Sequence, residues 1–315
     1  MEAPVAAAIQ VSGLEKRFGA VVAVAGLSFA VAPGEIFGLV GPDGAGKTTT
    51  MRMLASVMRP DVGSIVIDGI DVLASPEQAK QHISYMPQRF GLYDDLTVEE
   101  NIRFYADLFE VPRTVWQSRA AAMLDAADMT PFRKRLAGQL SGGMKQKLGL
   151  TCSLVHTPRV LLLDEPTTGV DPLSRREFWQ ILYSLRSEGV AMLISTAYLD
   201  EAERCDRVAM LHDGAMMYCD TPAKLKEQMP GVMLEVVTDD PRRAHDVVLG
   251  LSGVRGALLV GNGIHVHVDR RDCCAQIAVA LQAEGIAATD IDAVEPTIED
   301  LFVALLEQKK TGASK

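Results

Sequence analysis

The feature that most constrains this chain of 315 residues is a glycine-rich segment, Gly41–Thr49, which fits the pattern GxxxxGK[ST]. The apolar run Glu35–Val40 precedes it and a helical pattern follows it, as in a loop that joins a buried strand to a helix. Glycines there let backbone N–H groups point at a bound phosphate, and the positive end of the helix faces the same group. The sequence therefore predicts a phosphate-binding loop within an α/β fold.

Two acidic residues follow a second buried run, where they can act on a phosphate held by this loop. Asp164 ends the run Val160–Leu163, and Glu165 comes directly after it. We expect Asp164 and the hydroxyl of Thr48 to hold Mg²⁺, Lys47 to lie between the β- and γ-phosphates, and Glu165 to be the general base for water. The predicted nucleotide contacts of the loop are Gly41, Pro42, Asp43, Gly44, Ala45, Gly46, Lys47, Thr48 and Thr49.

The hydrophobic rhythm divides the chain into two domains. Short β-branched runs alternate with helical stretches through about residue 225, which predicts an α/β domain with parallel strands, and the later part predicts a small α+β domain with the ferredoxin-like order β-α-β-β-α-β. The predicted bounds are 1–228 for the first domain, with a helical insertion at about 89–157, 229–310 for the second, and 311–315 for a flexible tail. The predicted elements after Pro230 are Val232–Thr238, Arg242–Leu251, Val254–Val260, Ile264–Val268, Arg271–Ala283, Ile286–Val294 and the helix Ile298–Gln308.

A third motif, Leu140–Gln146, reads LSGGMKQ. Ser141 is predicted to cap a helix, and Gly142 and Gly143 leave its backbone open to a second phosphate. Together with the phosphate loop and the LLLDEP segment, this motif resembles the signature of the ATP-binding cassette (ABC) family. The resemblance implies a P-loop NTPase cassette fold with a helical insertion, ATP and Mg²⁺ as ligands, and ATPase activity. It also implies that two chains, expected to be identical, enclose two ATP molecules head to tail, with a contact to the second subunit's ATP from Ser141, Gly142, Gly143 and Gln146.

Three more positions take their expected roles from this resemblance. Phe18 lies at an aromatic position that resembles the family's adenine platform, although core packing is the alternative for this ring. Gln88 matches the glutamine that touches Mg²⁺ and the attacking water, and joins the helical insertion. Asp171 matches the aspartate loop that contacts the other subunit. We therefore expect Glu165 and Gln88 to be the catalytic residues.

One position departs from the family pattern. Where the family usually has a histidine that bonds the γ-phosphate, this chain has Ala197. A methyl group cannot donate a hydrogen bond, and the loss of such a donor commonly costs ~3–4 kcal/mol at the transition state. We predict that nucleotide binding at the site that includes Ala197 survives while hydrolysis is reduced or altered. Whether this alanine is natural or a substitution made to trap ATP stays open.

Composition limits the partners of such a cassette. The 31 basic and 41 acidic residues give a formal charge of −10, which argues against nucleic acid. No apolar run approaches the ~18 residues of a membrane helix, and we expect no secretory signal at the N-terminus. For a member of the family this implies a separate integral membrane permease, and a place on the cytoplasmic face of the bacterial inner membrane. Phe90, Leu92 and Tyr93 are the predicted docking residues, with internal packing of the insertion as the alternative.

Three longer segments, Met86–Thr97, Ser195–Glu203 and Glu295–Phe302, resemble those of bacterial exporters that include drug efflux systems. The resemblance implies export of a drug or another small molecule through the permease. Two alternatives stay open. One is a nucleotide-gated regulatory or binding subunit with little ATPase activity, and the other is a soluble non-transport ABC ATPase.

Two histidines of the second domain, His265 and His267, alternate along a predicted strand and therefore share one of its faces. Two imidazoles so placed could bind a metal, but no third ligand lies at a convincing spacing. We expect a surface strand face there, not a zinc site.

Overall fold

The computed structural model describes residues 6–312, and these form two compact units. The first unit runs to Tyr198 and also takes in Cys205–Cys219, and the second contains Leu199–Arg204 and the chain from Asp220 onward. The elements of the first half, in chain order, are β1 (Ile9–Phe18), β2 (Val21–Val31), β3 (Ile36–Val40), α1 (Lys47–Leu54), β4 (Val62–Ile67), β5 (Ile70–Asp71), α2 (Pro76–His82), β6 (Ile83–Met86), α3 (Val98–Leu108), α4 (Arg113–Ala126) and α5 (Gly142–Leu154). The remaining elements are β7 (Val160–Asp164), α6 (Pro172–Ser187), β8 (Ala191–Thr196), α7 (Leu199–Ala202), β9 (Arg207–His212), β10 (Ala215–Asp220), α8 (Pro222–Glu227), β11 (Val232–Thr238), α9 (Pro241–Leu249), β12 (Val254–Val260), β13 (Gly263–Val268), α10 (Cys273–Ala283), β14 (Ala288–Val294) and α11 (Ile298–Gly312).

The first unit is built on a six-stranded sheet with the order β10-β9-β3-β8-β7-β6. Strand β3 pairs in parallel with both β8 and β9, and β7 pairs in parallel with both β8 and β6. Every residue of β3, β7 and β8 is buried, as the continuous apolar runs of the sequence predict for parallel strands covered on both faces. The predicted α/β core with parallel strands is confirmed.

A second, antiparallel sheet of the first unit has the order β2-β1-β4-β5. It shares one hydrophobic core with helix α1 and the parallel sheet, and fully buried members of that core are Ile9, Leu14, Val24, Phe37, Met51 and Ile65. This packing fixes the start of the phosphate-binding segment between two sheets.

The helical insertion has a core of its own, formed by α3, α4 and α5. Helix α3 begins in a capping box in which Thr97 accepts a hydrogen bond from the backbone of Glu100 and the Glu100 carboxylate accepts one from the backbone of Thr97. The buried side chains of the insertion's core include Ile102, Trp116, Leu124 and Leu148. Phe90 and Leu92 are partly buried against the same cluster, as in the internal packing that we gave as their alternative, and their contact with a permease stays a prediction.

The second unit contains the predicted ferredoxin-like order β-α-β-β-α-β. Its antiparallel sheet has the order β12-β13-β11-β14, and helices α9 and α10 cover one face, where Leu234, Val236, Ile264, Val266 and Ile277 are buried. The helix bounds differ from the predicted ones by at most four residues at an end, and the predicted strands Val232–Thr238 and Val254–Val260 are unchanged. The small α+β fold of this unit is confirmed.

The prediction that His265 and His267 lie on a surface strand face is wrong. Both side chains are buried, because helix α11 packs against β12 and β13 and Asp300 of that helix reaches His265. No group of three side chains able to hold a metal ion forms among residues 6–312 as far as they are described.

Two predicted bounds in the second unit also differ from the structure. The helix that we expected to end at Gln308 continues to Gly312, so residues 311 and 312 are helical and not part of a tail, because the sequence offers no helix breaker before Gly312. Residues 313–315 of the predicted tail lie outside the described residues. The continuous part of the second unit begins at Asp220, ahead of the predicted residue 229, because α8 packs on α11.

No helix in the part of the chain that is described is long and apolar enough to cross a membrane.

Candidate nucleotide-binding site

Four neighbouring strands of the parallel sheet bring the predicted site residues to one edge. In the order β3, β8, β7, β6, the segments that follow these strands carry the phosphate-binding loop, Ala197, Glu165 and Gln88. Because parallel strands end at the same edge of a sheet, residues far apart in the chain meet there, which is where ligands bind in open α/β sheets. Asp164, the last residue of β7, is paired with Ser195 of β8.

The phosphate-binding loop has a backbone that requires glycine. Gly46 precedes α1 with φ +97°, and a Cβ on it would stand 2.3 Å from the carbonyl oxygen of Ala23. Lys47 is the first residue of α1 and is buried, and its Nζ donates to the carbonyls of Gly41 at 2.7 Å and Pro42 at 3.1 Å. The loop therefore holds its cationic group against its own backbone at the positive end of a helix, which suits a polyphosphate. Asp43 and Gly44 are exposed, Ala45 is buried, and Thr49 is half-buried.

Asp164 is the centre of a buried hydrogen-bond cluster. Its Oδ1 accepts from the hydroxyl of Thr48 at 3.0 Å and from that of Ser195 at 2.6 Å, and its Oδ2 accepts from the phenol of Tyr85 at 3.3 Å. Burial raises the pKa of Tyr85 to about 12 and the Asp164 charge adds to this effect, so the phenol stays protonated and remains a donor. The hydroxyl of Thr48 and the carboxylate of Asp164 are hard oxygen ligands of the kind that Mg²⁺ prefers, so the residues present fit the predicted metal.

Glu165 is surrounded by the other residues predicted to act in hydrolysis. Its carboxylate lies 3.4 Å from Lys47 Nζ and accepts from Gln88 Nε2 at 3.0 Å and from the hydroxyl of Thr168 at 3.4 Å. Its backbone is in the left-handed region at φ +50°, and its N–H donates both to the carbonyl and to the hydroxyl of Ser195 at 3.0 Å. The predicted base is therefore held at a fixed position beside the lysine of the phosphate loop.

The signature segment forms a second cluster, with the aspartate loop. Ser141 caps α5 by accepting from the backbone of Met144 at 3.3 Å, and Asp171 caps α6 by accepting from the backbone of Ser174 at 2.9 Å, which holds the pKa of Asp171 below its usual range. A Cβ on Gly143 would stand 2.4 Å from Ser174 Oγ, so only glycine lets the two helix N-termini approach so closely. Ser141 and Gly142 are exposed and Gln146 is half-buried.

The hydrogen bonds described for Ser141 and Asp171 stay within this second cluster and do not reach the phosphate loop. The structure thus divides the predicted nucleotide residues into two groups, one around Lys47 and Glu165 and one around Ser141. The role of the second group toward a partner's nucleotide stays a prediction.

Phe18 and Ala197 are both accessible. Phe18 ends β1 with 48% of its side chain exposed, and Lys16 Nζ lies 5.8 Å from its ring centroid, so its ring is not part of the core. Ala197 follows the last residue of β8 and is exposed, and the next ring, Tyr198, lies 4.4 Å beneath the guanidinium of Arg175. Both positions keep their predicted roles as predictions.

Sequence reasoning missed Ser195 and Tyr85. Ser195 is fully buried and bonds the two acidic residues at once, through its hydroxyl and its carbonyl. The sequence does contain a signal for Ser195. This serine directly follows the apolar run Ala191–Ile194, and a polar side chain at the end of a buried strand needs a hydrogen-bond partner.

A family model described as ABC transporter matches residues 24–168. The chain is 42% identical over 98% of its length to the probable multidrug ABC transporter ATP-binding protein YbhF of Escherichia coli K12, and spans 54% of that protein. It is 34% identical over 95% of its length to the daunorubicin resistance ATP-binding protein DrrA2 of Streptomyces coeruleorubidus, and covers 94% of that protein. The chain belongs to the ATP-binding proteins of the ABC transporter family. A solved ATP-binding subunit of an ABC transporter is similar with a TM-score of 0.64 and 29% identity, over 70% of this chain and 92% of that one.

Membership of the ABC family confirms the predicted family, the cassette fold and the prediction of an ABC-type ATP-binding protein. The two named relatives carry multidrug and daunorubicin resistance in their names. The chain spans about half of YbhF, so what that longer protein does as a whole is not carried over as a property of this chain.

Proposed function

We propose that this chain binds and hydrolyses MgATP as the ATP-binding subunit of an ABC exporter. The observation that carries the proposal is the cluster in which the carboxylate of Glu165 contacts both Lys47 Nζ and Gln88 Nε2 while Thr48 bonds Asp164. This cluster joins a phosphate-binding cation, a general base, a water-orienting amide and a pair of metal ligands. A site that only bound phosphate would not need the base and the amide.

Each residue of this cluster has a separate task. Thr48 and Asp164 would hold Mg²⁺, which when bound offsets the negative charge of the β- and γ-phosphates. Lys47 moves from the loop carbonyls to the phosphates, since it is a flexible cation beside them. Gln88 positions a water for Glu165, whose carboxylate accepts the proton as the water oxygen attacks the γ-phosphate.

Ala197 is expected to stabilise the γ-phosphate in the transition state less than a histidine would. No donor stands on that side chain, so the transition state loses one hydrogen bond while the ground-state contacts of Lys47 and the loop remain. We therefore propose that the chain retains ATP binding but hydrolyses ATP slowly.

We infer that the functional form is a head-to-tail dimer. Ser141 and Gly142 are exposed at the N-terminus of α5, where backbone N–H groups and the positive end of a helix favour an anion. The hydroxyl of Ser141 accepts from the backbone of Met144, and the adjacent Gly143 packs closely against Ser174, so these contacts do not reach the phosphate loop of the same chain. This arrangement supports a γ-phosphate supplied by a second nucleotide-binding subunit.

The membrane partner is proposed to dock on the helical insertion. Four large side chains, Tyr93, Phe104, Leu108 and Phe109, are exposed there, with Tyr93 and Phe104 in edge contact at 4.6 Å, and we name them the aromatic patch. The patch includes Tyr93 of the predicted docking residues, whereas Phe90 and Leu92 are partly buried against the core of the insertion, with Phe90 in contact with Tyr105. An apolar surface of this kind suits a helix of an integral membrane permease at the cytoplasmic face of the membrane, and the names of the relatives favour export of a drug-like molecule.

Two measurements test the proposal. ATP affinity should fall at least about a hundredfold in Lys47→Ala and stay unchanged in Lys80→Ala, a matched lysine on the surface that pairs only with Glu77 in the described contacts. Photo-crosslinking from Tyr93 in cells should capture an integral membrane protein. Undiminished ATP affinity in Lys47→Ala would refute the nucleotide site, and recovery of ribosomes from Tyr93 would favour a non-transport ABC ATPase.

A further inference from the structure

The N-terminus of α11 is anchored by two carboxylates that come from different parts of the second unit. Asp300, inside the helix, accepts from the backbone and hydroxyl of Thr297 at 2.8 and 2.7 Å and from His265 Nδ1 at 3.0 Å. Glu203, nearly a hundred residues earlier, accepts from the backbone N–H of Ile298 at 3.2 Å. The first N–H groups of a helix have no partner within it, so Glu203 satisfies a donor that would otherwise have none.

Glu203 belongs to a segment that leads directly out of the nucleotide site. The segment Leu199–Arg204 begins two residues after Ala197, yet its contacts group it with the second unit. It contains helix α7, which packs on α11, and its Glu201 and Ala202 are completely buried. Lys226 of α8 adds an ion pair to the Glu203 carboxylate at 3.6 Å.

The apolar face of α11 makes this attachment firm. Ile298, Leu301, Phe302 and Leu305 are buried, and the helix packs against α7, α8, β12 and β13. A helix held in this way moves as a body with the segment that is bonded to its N-terminus, because packed elements shift together and do not deform continuously.

We propose that Glu203 is a positioning residue for the nucleotide site. It fixes the segment after Ala197 to helix α11, so that a shift of Ala197 and Tyr198 when ATP binds is passed along the chain to the second unit. Coupling of this kind is reciprocal, so the state of α11 in turn biases the position of the segment that follows Ala197. This inference rests on the proposed function, because it requires ATP at the phosphate loop.

Hydrogen exchange of the full chain, with and without MgATP, measures the proposed coupling directly. In the wild type we expect ATP to slow exchange both in the phosphate loop and in the first turns of α11. In Glu203→Ala the loop should still be protected, while the response of α11 should fall by about fivefold or more.

Matched variants separate coupling from general damage. Glu227→Ala removes an exposed glutamate of α8 and should leave every readout at the wild-type value. Glu203→Gln keeps an oxygen acceptor for Ile298 and should retain most of the α11 response, whereas Lys226→Ala should reduce it in part. If Glu203→Ala does not fold, the order of the responses in wild type, Glu203→Gln and Lys226→Ala decides the matter.

The possible results separate the two proposals. Protection of the phosphate loop by ATP with no response of α11 in the wild type overturns the coupling and leaves the proposed function intact. An undiminished α11 response in Glu203→Ala overturns the role of Glu203. Absence of ATP protection in the phosphate loop itself would overturn the proposed function.

Discussion

Replacing Ala197 by histidine should restore a hydrogen-bond donor to a site that otherwise has its hydrolytic groups in place. Ser195 bonds both Asp164 and the backbone of Glu165, and residue 197 is two positions beyond it. Because two residues of extended chain span about 6.6 Å, residue 197 lies at most about this far from Ser195. A donor aimed at developing negative charge is commonly worth ~3–4 kcal/mol, or about 10²–10³-fold in rate. Position 197 is exposed, so the larger side chain should change the free energy of unfolding by less than about 0.5 kcal/mol.

Single-turnover hydrolysis, with protein in excess over labelled ATP, is the appropriate assay because product release does not enter the rate. Ala197→His should raise this rate by about a hundredfold or more with ATP affinity nearly unchanged. Ala197→Leu adds bulk without a donor and should not raise it. Adding Glu165→Gln to Ala197→His should abolish the gain, because the general base is then missing. Equal and high rates in the wild type and in Ala197→His would refute the argument that this site is deficient.

Three further predictions concern the framework of the site and of the second unit. Ser195→Ala removes a buried hydroxyl that donates to the carboxylate of Asp164, and denaturant unfolding should show a loss of about 1–3 kcal/mol, with Ser195→Thr as the control that keeps the hydroxyl. Gly143→Ala places a methyl group 2.4 Å from Ser174 Oγ, and a loss of about 1–3 kcal/mol is expected, which Gly143→Ala combined with Ser174→Gly should partly recover; no loss in the single variant would contradict the close approach. The hydrogen bond to Asp300 raises the pKa of His265 above its usual value despite burial, so its stabilising effect should be complete below about pH 6.5 and lost as the pH rises through the folded-state pKa. Unfolding free energies at about pH 6 and pH 8.5 should differ in the wild type and differ less in His265→Asn.

The phosphate loop and the acidic pair could be located from sequence because their signals are local. Gly46 lies at φ +97° against the carbonyl of Ala23, a geometry that only glycine tolerates, and the motif spacing therefore records the backbone itself. Asp164 ends a strand whose remaining residues are all apolar, which fixes its place at the edge of the sheet. The contact of Glu165 with Gln88 follows once both residues are known to end neighbouring strands.

Other features depend on which elements lie side by side, and no local pattern carries that information. Whether Ser195 meets Asp164 depends on the order of strands β8 and β7 in the sheet. The alternation of His265 and His267 predicted one shared face correctly, but only the packing of α11 decides that this face is buried. The polarity of the histidines alone favoured a solvent-exposed face. The carboxylate of Asp300, which stabilises the buried His265, is 35 residues away in the chain.

The arrangement of the residues around Ala197 bears on one of the alternatives left open by the sequence, a subunit that binds nucleotide with little ATPase activity. If the chain only bound nucleotide, nothing would require Gln88 to hold Glu165 or Ser195 to fix the backbone of Glu165 at φ +50°, a conformation that costs of order 1–3 kcal/mol. These groups are all in position, and the predicted deficiency is confined to one side chain. A deficiency of that kind slows the chemical step and leaves the contacts of ATP with Lys47 as they are, so ATP should stay bound for longer. The geometry therefore favours an ATPase with a slow chemical step over a subunit that has no hydrolytic machinery.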